Sequence, residues 1–479
     1  MSTEHLDLNP GIDRRVFIRG LGYVSSVVVL SLFGGCEKFC AQIKKRPTRR
    51  RLRTGSPKVA QDIATYKDAV TLMKNLPANN KRSWAAQAAL HGTKVPNQFN
   101  FCQHGTNHFF SWHRAYLLYF EKICQELTGD KKFGLPYWNW NQDPALHPEF
   151  TAQNSPLFHP RNATTVAGNN AFTTATLDPI LQDNNLFTFS SQIEGTPHNT
   201  AHVVIGQDMV TGGSPLDPIF WAHHCMVDYC WAKWNNELDN DNTNDPAWVG
   251  TSWDHFVDGE GNPVTVTAGL TTIMPLLSYQ YESSAIGSAG PEPDPTPGEM
   301  KKIEERVRKG IDVRFEVKKR VPIAERTTLS LARPFSKETR VSPQDFSALI
   351  TADRSKERVF VSIDYAQLPP ANDFFVRVFL NLPTARPETP TDDPHYAGSF
   401  AFFGTAGAEH AGHGHKTDFL VNVTETLQRL TRSGELAADR PISVQLVAVP
   451  ATAAFVKPDA ELVLDKVELM VSPVLVRSR

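Results

Sequence analysis

The stretch EGTPHNTAHVVIGQDMVTGGSPLDPIFWAHHCMVDYCWAKW, Glu194 to Trp234, carries four histidines at spacings that suit a metal site built on two helices. His198 and His202 are four apart, so on a helix their side chains differ in direction by about 40° and both imidazoles face one way. The segment PHNTAHVVIG supplies an apolar wall behind them. The loop GQDMVTGGSP, rich in Gly and polar residues, then reverses the chain. A second helix beginning near Asp217 and Pro218 delivers a third imidazole from the pair His223 and His224. Asp228 stands four residues after His224, where it either holds that helix or orients a ligand.

Outward from this stretch, the longest periodic segment is HFFSWHRAYLLYFEKICQEL, His108 to Leu127, whose apolar face is broad enough for the centre of a helical bundle. Val59 to Met73 has a helical rhythm as well. SWAAQAALHG, Ser83 to Gly92, reads as a helix capped by Ser83 and stopped by Gly92, with His91 on its last turn. Pro144 to Phe189 lacks a sustained period and predicts long loops with short helices, of the kind that rim a site. A Pro and Gly rich linker, Ser283 to Glu299, ends the first domain. Beyond it the period becomes two, at Val359, Val361 and Ile363, at Val376, Val378 and Leu380, at Val444 and Leu446, and at Val467, Leu469 and Val471. The expected fold class is therefore a mainly α domain over residues 59–284, with a four-helix bundle core and long loops, a linker over 285–310, and an all-β sandwich domain over 311–479.

Charge and cysteines bound the remaining choices. The formal charge of −2 conceals a basic front end, because residues 1–53 hold eleven Lys or Arg against four Asp or Glu. DRRVFIRG, Asp13 to Gly20, followed by fifteen mostly apolar residues, resembles a twin-arginine export signal over residues 1–40. The apolar run is too short to span a bilayer. The expected location is thus periplasmic or secreted, with no stable membrane span. Cys36 is a candidate lipidation site. KKRPTRRRLR, Lys44 to Arg53, reads as a solvated basic linker within residues 41–58, without the apolar interleaving of a nucleic-acid surface. Cys102, Cys124, Cys225 and Cys230 are too sparse for a disulfide framework, and Cys124 and Cys230 fall on apolar helical faces.

Ten of the sixteen histidines lie between residues 91 and 224. His104 and His113 would fall on opposite sides of one continuous helix, so His104 must reach the site from the preceding loop. Counting His91, His104, His113, His198, His202 and His224 gives six neutral nitrogen donors and no carboxylate bridge. Two-metal hydrolases recruit bridging carboxylates, which disfavours a di-zinc hydrolase and favours two copper ions with dioxygen as the small partner.

CQHGTNHFFSWHRAYLLYFE, GLPYWNW, EGTPHNTAHVVIG and SPLDPIFWAHHCMVDYCWAKW resemble the two copper-binding regions of the type 3 copper proteins, the tyrosinases, polyphenol (catechol) oxidases and haemocyanins. GLPYWNW and SYQYES are nearest to plant polyphenol oxidases, while GQDMVTGGSP is similar to bacterial tyrosinases. HYAGSFAFFG and EHAGHGHKTDFLVNVTETLQRL resemble the plant enzymes' C-terminal β-domain. The resemblance implies that His91, His104 and His113 hold one copper and that His198, His202 and His224 hold the other. His108 competes with His104, and His223 with His224; the family pattern selects His104 and His224 and makes His223 a structural donor. It also implies a thioether between Cys102 and His104, the two residues being i and i+2 in an extended segment. Glu194 and Asn199 correspond to a pair that holds a water to deprotonate phenol. Phe220 would pack against ligand rings, and Thr211 or Gly212 would gate the second copper. His410, His413 and His415 are candidates for an accessory copper site. The implied activity is oxidation of o-diphenols to o-quinones with dioxygen, with o-hydroxylation of monophenols beside it, in a chain kept latent by its C-terminal domain. The rival is a haemocyanin-like dioxygen carrier using the same histidines.

Overall fold

The structure, a computed structural model, describes residues 46–95, 98–238, 240–243, 245–272, 277, 279–282, 317–352, 357–367, 374–401, 419–450 and 461–473. The export-signal segment, Cys36 and the histidines at 410, 413 and 415 lie outside the described residues. Among the described residues no helix is long and apolar enough to cross a membrane.

The first domain is built on α1 (Pro57–Asn75), α2 (Trp84–His91), α3 (Phe109–Thr128), α4 (Leu186–Ile193), α5 (Asn199–Ile205) and α6 (Ile219–Asn236). Local chemistry sets their starts: the hydroxyls of Ser56 and Ser83 accept the amides of Val59 and Ala86, and Asn185 accepts those of Phe187 and Thr188. α3 and α6 are buried on nearly every face because they form the middle of the bundle, where Phe110 stacks on Trp231 at 5.2 Å and Tyr116 lies 4.6 Å from Trp221. Six tryptophans, Trp112, Trp138, Trp140, Trp221, Trp231 and Trp234, are fully buried around them.

Between α4 and α5 the chain widens into one π turn, Glu194–His198, closed by the Asn199 amide on the Glu194 carbonyl. Pro197 sits inside it. Proline has no N–H to give an ordinary helical ladder, and a wider turn relieves the clash of its ring with the preceding carbonyl.

The basic run does not behave as a solvated linker. Thr48–Arg49 forms β1, paired in parallel with β4 (Gln280–Tyr281), and Arg49 is fully buried. Its guanidinium bonds Glu121 at 2.8 Å and Asp228 at 3.1 Å and lies 3.4 Å over the Tyr279 ring. Arg50 pairs with Asp62, and Arg53 with Glu282. The run's solvated reading fails because the acidic partners of its arginines are 12 to 229 residues away in sequence, invisible to local pattern.

After the hairpin β2 (Ser252–Val257) and β3 (Pro263–Thr267), the second domain is a sandwich of two four-stranded sheets. Its strands are β5 (Lys319–Leu329), β6 (Phe335–Thr339), β7 (Glu357–Gln367), β8 (Phe374–Leu380), β9 (Tyr396–Phe400), β10 (Phe419–Asn422), β11 (Ile442–Pro450) and β12 (Leu462–Pro473). One sheet has the order β10-β7-β12-β5 and the other β6-β11-β8-β9. Helices α7 (Pro343–Ile350) and α8 (Thr424–Arg432) pack on the sandwich. β7, β8, β11 and β12 follow the alternating pattern. β5, β6 and β9 lie at sheet edges, where one side of the strand is wet and a residue such as Pro322 is tolerated, so alternation does not reveal them.

The end of β9 lies against the π turn. The Ala401 amide donates to the Gly195 carbonyl at 2.6 Å, and the Thr196 hydroxyl donates to the Ser399 carbonyl at 2.6 Å. Phe400 and Phe419, stacked at 4.7 Å, cover Gly195.

Candidate metal centre

His91 arrives on the last turn of α2, His104 on the loop before α3, and His113 on α3 one turn in. His198 closes the π turn, and His202 and His224 come from α5 and α6. All six are buried. The Nε2 atoms of His91 and His104 are 3.1 Å apart; those of His198 and His202 are 3.1 Å apart, with His224 Nε2 at 3.2 and 3.4 Å from them. The two groups face each other, with His104 stacked on His198 at 5.2 Å and His113 on His224 at 4.4 Å.

Hydrogen bonds on the opposite ring nitrogens decide what these atoms offer. His91 Nδ1 donates to the Gly212 carbonyl at 2.8 Å, His113 Nδ1 to Phe109 at 2.8 Å, and His202 Nδ1 to Met209 at 2.6 Å. His198 Nδ1 donates to Asn199 Oδ1 at 2.8 Å, and His104 Nδ1 meets Glu194 Oε1 at 3.2 Å. A neutral imidazole has one N–H, so each of these rings presents its lone pair at Nε2. Lone pairs turned toward one another at about 3 Å repel, and a cation between them removes the repulsion. Burial, reinforced in most of these rings by the neighbouring imidazoles, holds the histidines in the neutral form that ligates, His91 at about 4 and the others well below the ordinary value. Among the described residues imidazole is the sole donor type at the second group, and Cys102 joins His91 and His104 within 4.8 Å at the first. This donor set fits copper ions.

Glu194 Oε1 also accepts the Gly105 amide at 2.7 Å. Burial lifts its carboxyl to about 8, with that amide opposing, and cations at the histidines act in the same opposing sense. Asn199 is shared: beside its bond to His198, its Nδ2 donates to the Ala401 carbonyl at 2.6 Å. Phe220 lies 4.2 Å from His224 and 5.1 Å from His91, wedged between the two groups.

The structure specifies the surroundings of three more residues. Asp228 turns away from the histidines to Arg49, Arg114, Tyr279 and Tyr281, so it holds the helix and does not orient a ligand. Gly212 faces the first group through its carbonyl on His91, not the second; a Cβ there would meet Gln98 O at 2.2 Å. His223 accepts the Trp140 indole N–H at Nδ1, 2.9 Å away, which leaves its own proton on Nε2. His108 stays outside both groups, stacked on Trp248 at 5.2 Å. The acceptors at Gly212, Met209 and Ala401 are main-chain atoms, which leave no signature in residue type.

Comparison with known proteins gives a matching domain and a shared fold. Residues 81–179 and 147–237 match the common central domain of tyrosinase, and residues 316–470 match a domain of unknown function. A tyrosinase of Hahella sp. (strain CCB-MM4) is 30% identical over 46% of this chain and 60% of its own length. The (+)-larreatricin hydroxylase of Larrea tridentata is 23% identical over 82% of this chain and 75% of its own. The chain spans about half the length of several other curated relatives it matches, 45% in the case of the spinach (Spinacia oleracea) polyphenol oxidase. In fold, a latent aurone synthase (polyphenol oxidase) superposes with a TM-score of 0.61 at 20% identity, covering 90% of this chain and 92% of that one. Latent apple tyrosinase gives 0.57 at 21% identity, over 89% and 97%. The chain thus carries the common central domain of tyrosinase over residues 81–237, with both histidine groups inside it, and its two-domain fold resembles that of the latent plant enzymes.

Proposed function

We propose that this protein oxidises o-diphenols to o-quinones with dioxygen, with His91, His104 and His113 holding one copper ion and His198, His202 and His224 the other. The observation that carries the reading is the convergence of imidazole Nε2 lone pairs in two facing buried groups without a bridging carboxylate. Bound copper supplies the redox chemistry with dioxygen. The protein's own groups do the rest. Main-chain carbonyls and Asn199 fix the histidine rings, Phe220 keeps water from the space between them, and Glu194 with Asn199 holds the water that takes the phenolic proton. Hydroxylation of monophenols follows where that water is in place.

Two further assignments belong to this reading. Cys102 forms a thioether with the His104 ring: an S–C bond replaces an S–H and a C–H, and dioxygen accepts the two electrons and two protons. The Sγ, within 4.8 Å of the His91 and His104 donor atoms, supports it. The β-domain keeps the chain latent, supported by its bonds to Gly195, Thr196 and Asn199, and the twin-arginine segment exports the folded protein.

Oxygen uptake by copper-loaded protein on catechol-like and tyrosine-like substrates, intact and cut between Gly290 and Gly298, tests the reading. Quinone formation that rises after the cut is expected. Reversible oxygenation without quinone would replace it with an oxygen carrier, a function the same histidines can serve. Glu194→Gln retaining full monophenol activity would remove the base role.

A further inference from the structure

His223 is the histidine at the centre that the six-ligand reading leaves without a task. It is fully buried, stacks on His198 at 5.1 Å and an 18° angle, and meets His202 edge-on at 4.9 Å. A donor atom of His223 lies within 4.8 Å of those of His198, His202 and His224, so by position it is a fourth imidazole of the second group. Imidazole suits copper, so a fourth imidazole within reach is a potential competing ligand.

The disabling group is Trp140, from GLPYWNW. Its indole N–H donates to His223 Nδ1 at 2.9 Å. Indole is a donor only, so Nδ1 must supply the lone pair, and the neutral ring then carries its proton on Nε2. One nitrogen has its lone pair occupied and the other has none. Trp140 is itself fully buried, 5.9 Å from Phe172, which holds the indole in this orientation.

We propose that Trp140 excludes His223 from the second metal by fixing its tautomer, so that His198, His202 and His224 alone would hold that ion. This rests on the assignment of His198, His202 and His224 as ligands. Trp140 is thus a positioning residue acting through His223.

The test uses the full chain loaded with Cu(I), which is diamagnetic, and labelled with nitrogen-15 in histidine. The His223 signals are those lost in His223→Phe. In the parent protein His223 is expected to show a protonated Nε2 and an unmetallated Nδ1. In Trp140→Phe, which keeps an aromatic ring in place, His223 is expected to lose that single-tautomer pattern, and the second copper should become about tenfold harder to remove with a competing chelator. The double variant Trp140→Phe/His223→Phe should return to parental copper retention. Unchanged His223 signals in Trp140→Phe, or an affinity change that persists in the double variant, would overturn the proposal. A parent that binds fewer than two coppers, or His198→Ala that loses none, would instead overturn the ligand assignment beneath it.

Discussion

The side-chain amide of Asn199 donates to the main-chain carbonyl of Ala401, 202 positions away in the β-domain, while its oxygen accepts from His198. One residue therefore couples the orientation of a candidate ligand to the docking of the second domain. Any motion that withdraws β9 also frees the amide nitrogen of Asn199 to bind something else, such as the water proposed between it and Glu194. Latency in this reading comes from the occupation of a polar group as much as from steric cover.

The neighbouring Thr196 separates these effects. Its hydroxyl bonds the Ser399 carbonyl, a bond that involves no histidine. Thr196→Val removes the interdomain bond, worth about 1 kcal/mol, and leaves a carbonyl unmet. The population of undocked β-domain should rise about fivefold, since about 1.4 kcal/mol is a factor of ten. Catechol turnover of the intact variant is expected to rise severalfold toward that of the cut protein, with copper content unchanged. A turnover equal to that of the parent would show that this contact does not hold the domain closed.

Gly212 offers a second test, at the other group. Its carbonyl fixes His91, and its α-carbon is packed so tightly that a Cβ would stand 2.2 Å from Gln98 O and 2.9 Å from Thr93 N, both main-chain atoms. Gly212→Ala must push the loop away and take the His91 acceptor with it. Copper analysis after dialysis should fall from two ions per chain toward one, with retention of the first ion weakened about 10–100-fold. The second group should be unaffected.

The proposed thioether has a direct mass signature. Copper-loaded protein exposed to air should be lighter by two hydrogen atoms than the chain made without copper, and the peptide holding Cys102 should resist thiol alkylation under denaturing conditions. Cys102→Ala should abolish the mass difference while keeping the six histidines.

Sequence carried the helices and the histidines well because both rest on local spacing. Four-residue separations place His198 and His202 together, and Ser83 and Gly92 bound α2 by capping chemistry that needs no tertiary contact. What it did not carry was set by distant partners. The partner of His223 is unknown until Trp140 is seen against it, and the choice for Asp228 between holding its helix and orienting a ligand stays open until Arg49 and Arg114 arrive from other elements. Edge strands β5 and β9 escape because their exposed sides dilute the alternation.

Arg49 is the largest of these surprises and gives the last prediction. It is fully buried, bonds Glu121 and Asp228, accepts the Tyr279 ring beneath it, and approaches the Tyr281 hydroxyl at 3.2 Å. Asp228, whose burial is outweighed by Arg114 and Arg49 so that its carboxyl is held below the ordinary value, stays charged on α6, four residues beyond His224. Removing Arg49 leaves two buried carboxylates short of a counter-charge, so Arg49→Ala should cost about 3–5 kcal/mol of stability. Arg49→Lys should recover only part of this, since an ammonium cannot span Glu121 and Asp228 with a planar fork while lying on Tyr279. Denaturant midpoints of parent, Arg49→Lys and Arg49→Ala should fall in that order. Because the cluster ties the N-terminal strand to α3 and α6, the same order is expected for copper retention after mild heating, which would make the basic front end of the chain a structural clamp on the helices that present His113 and His224.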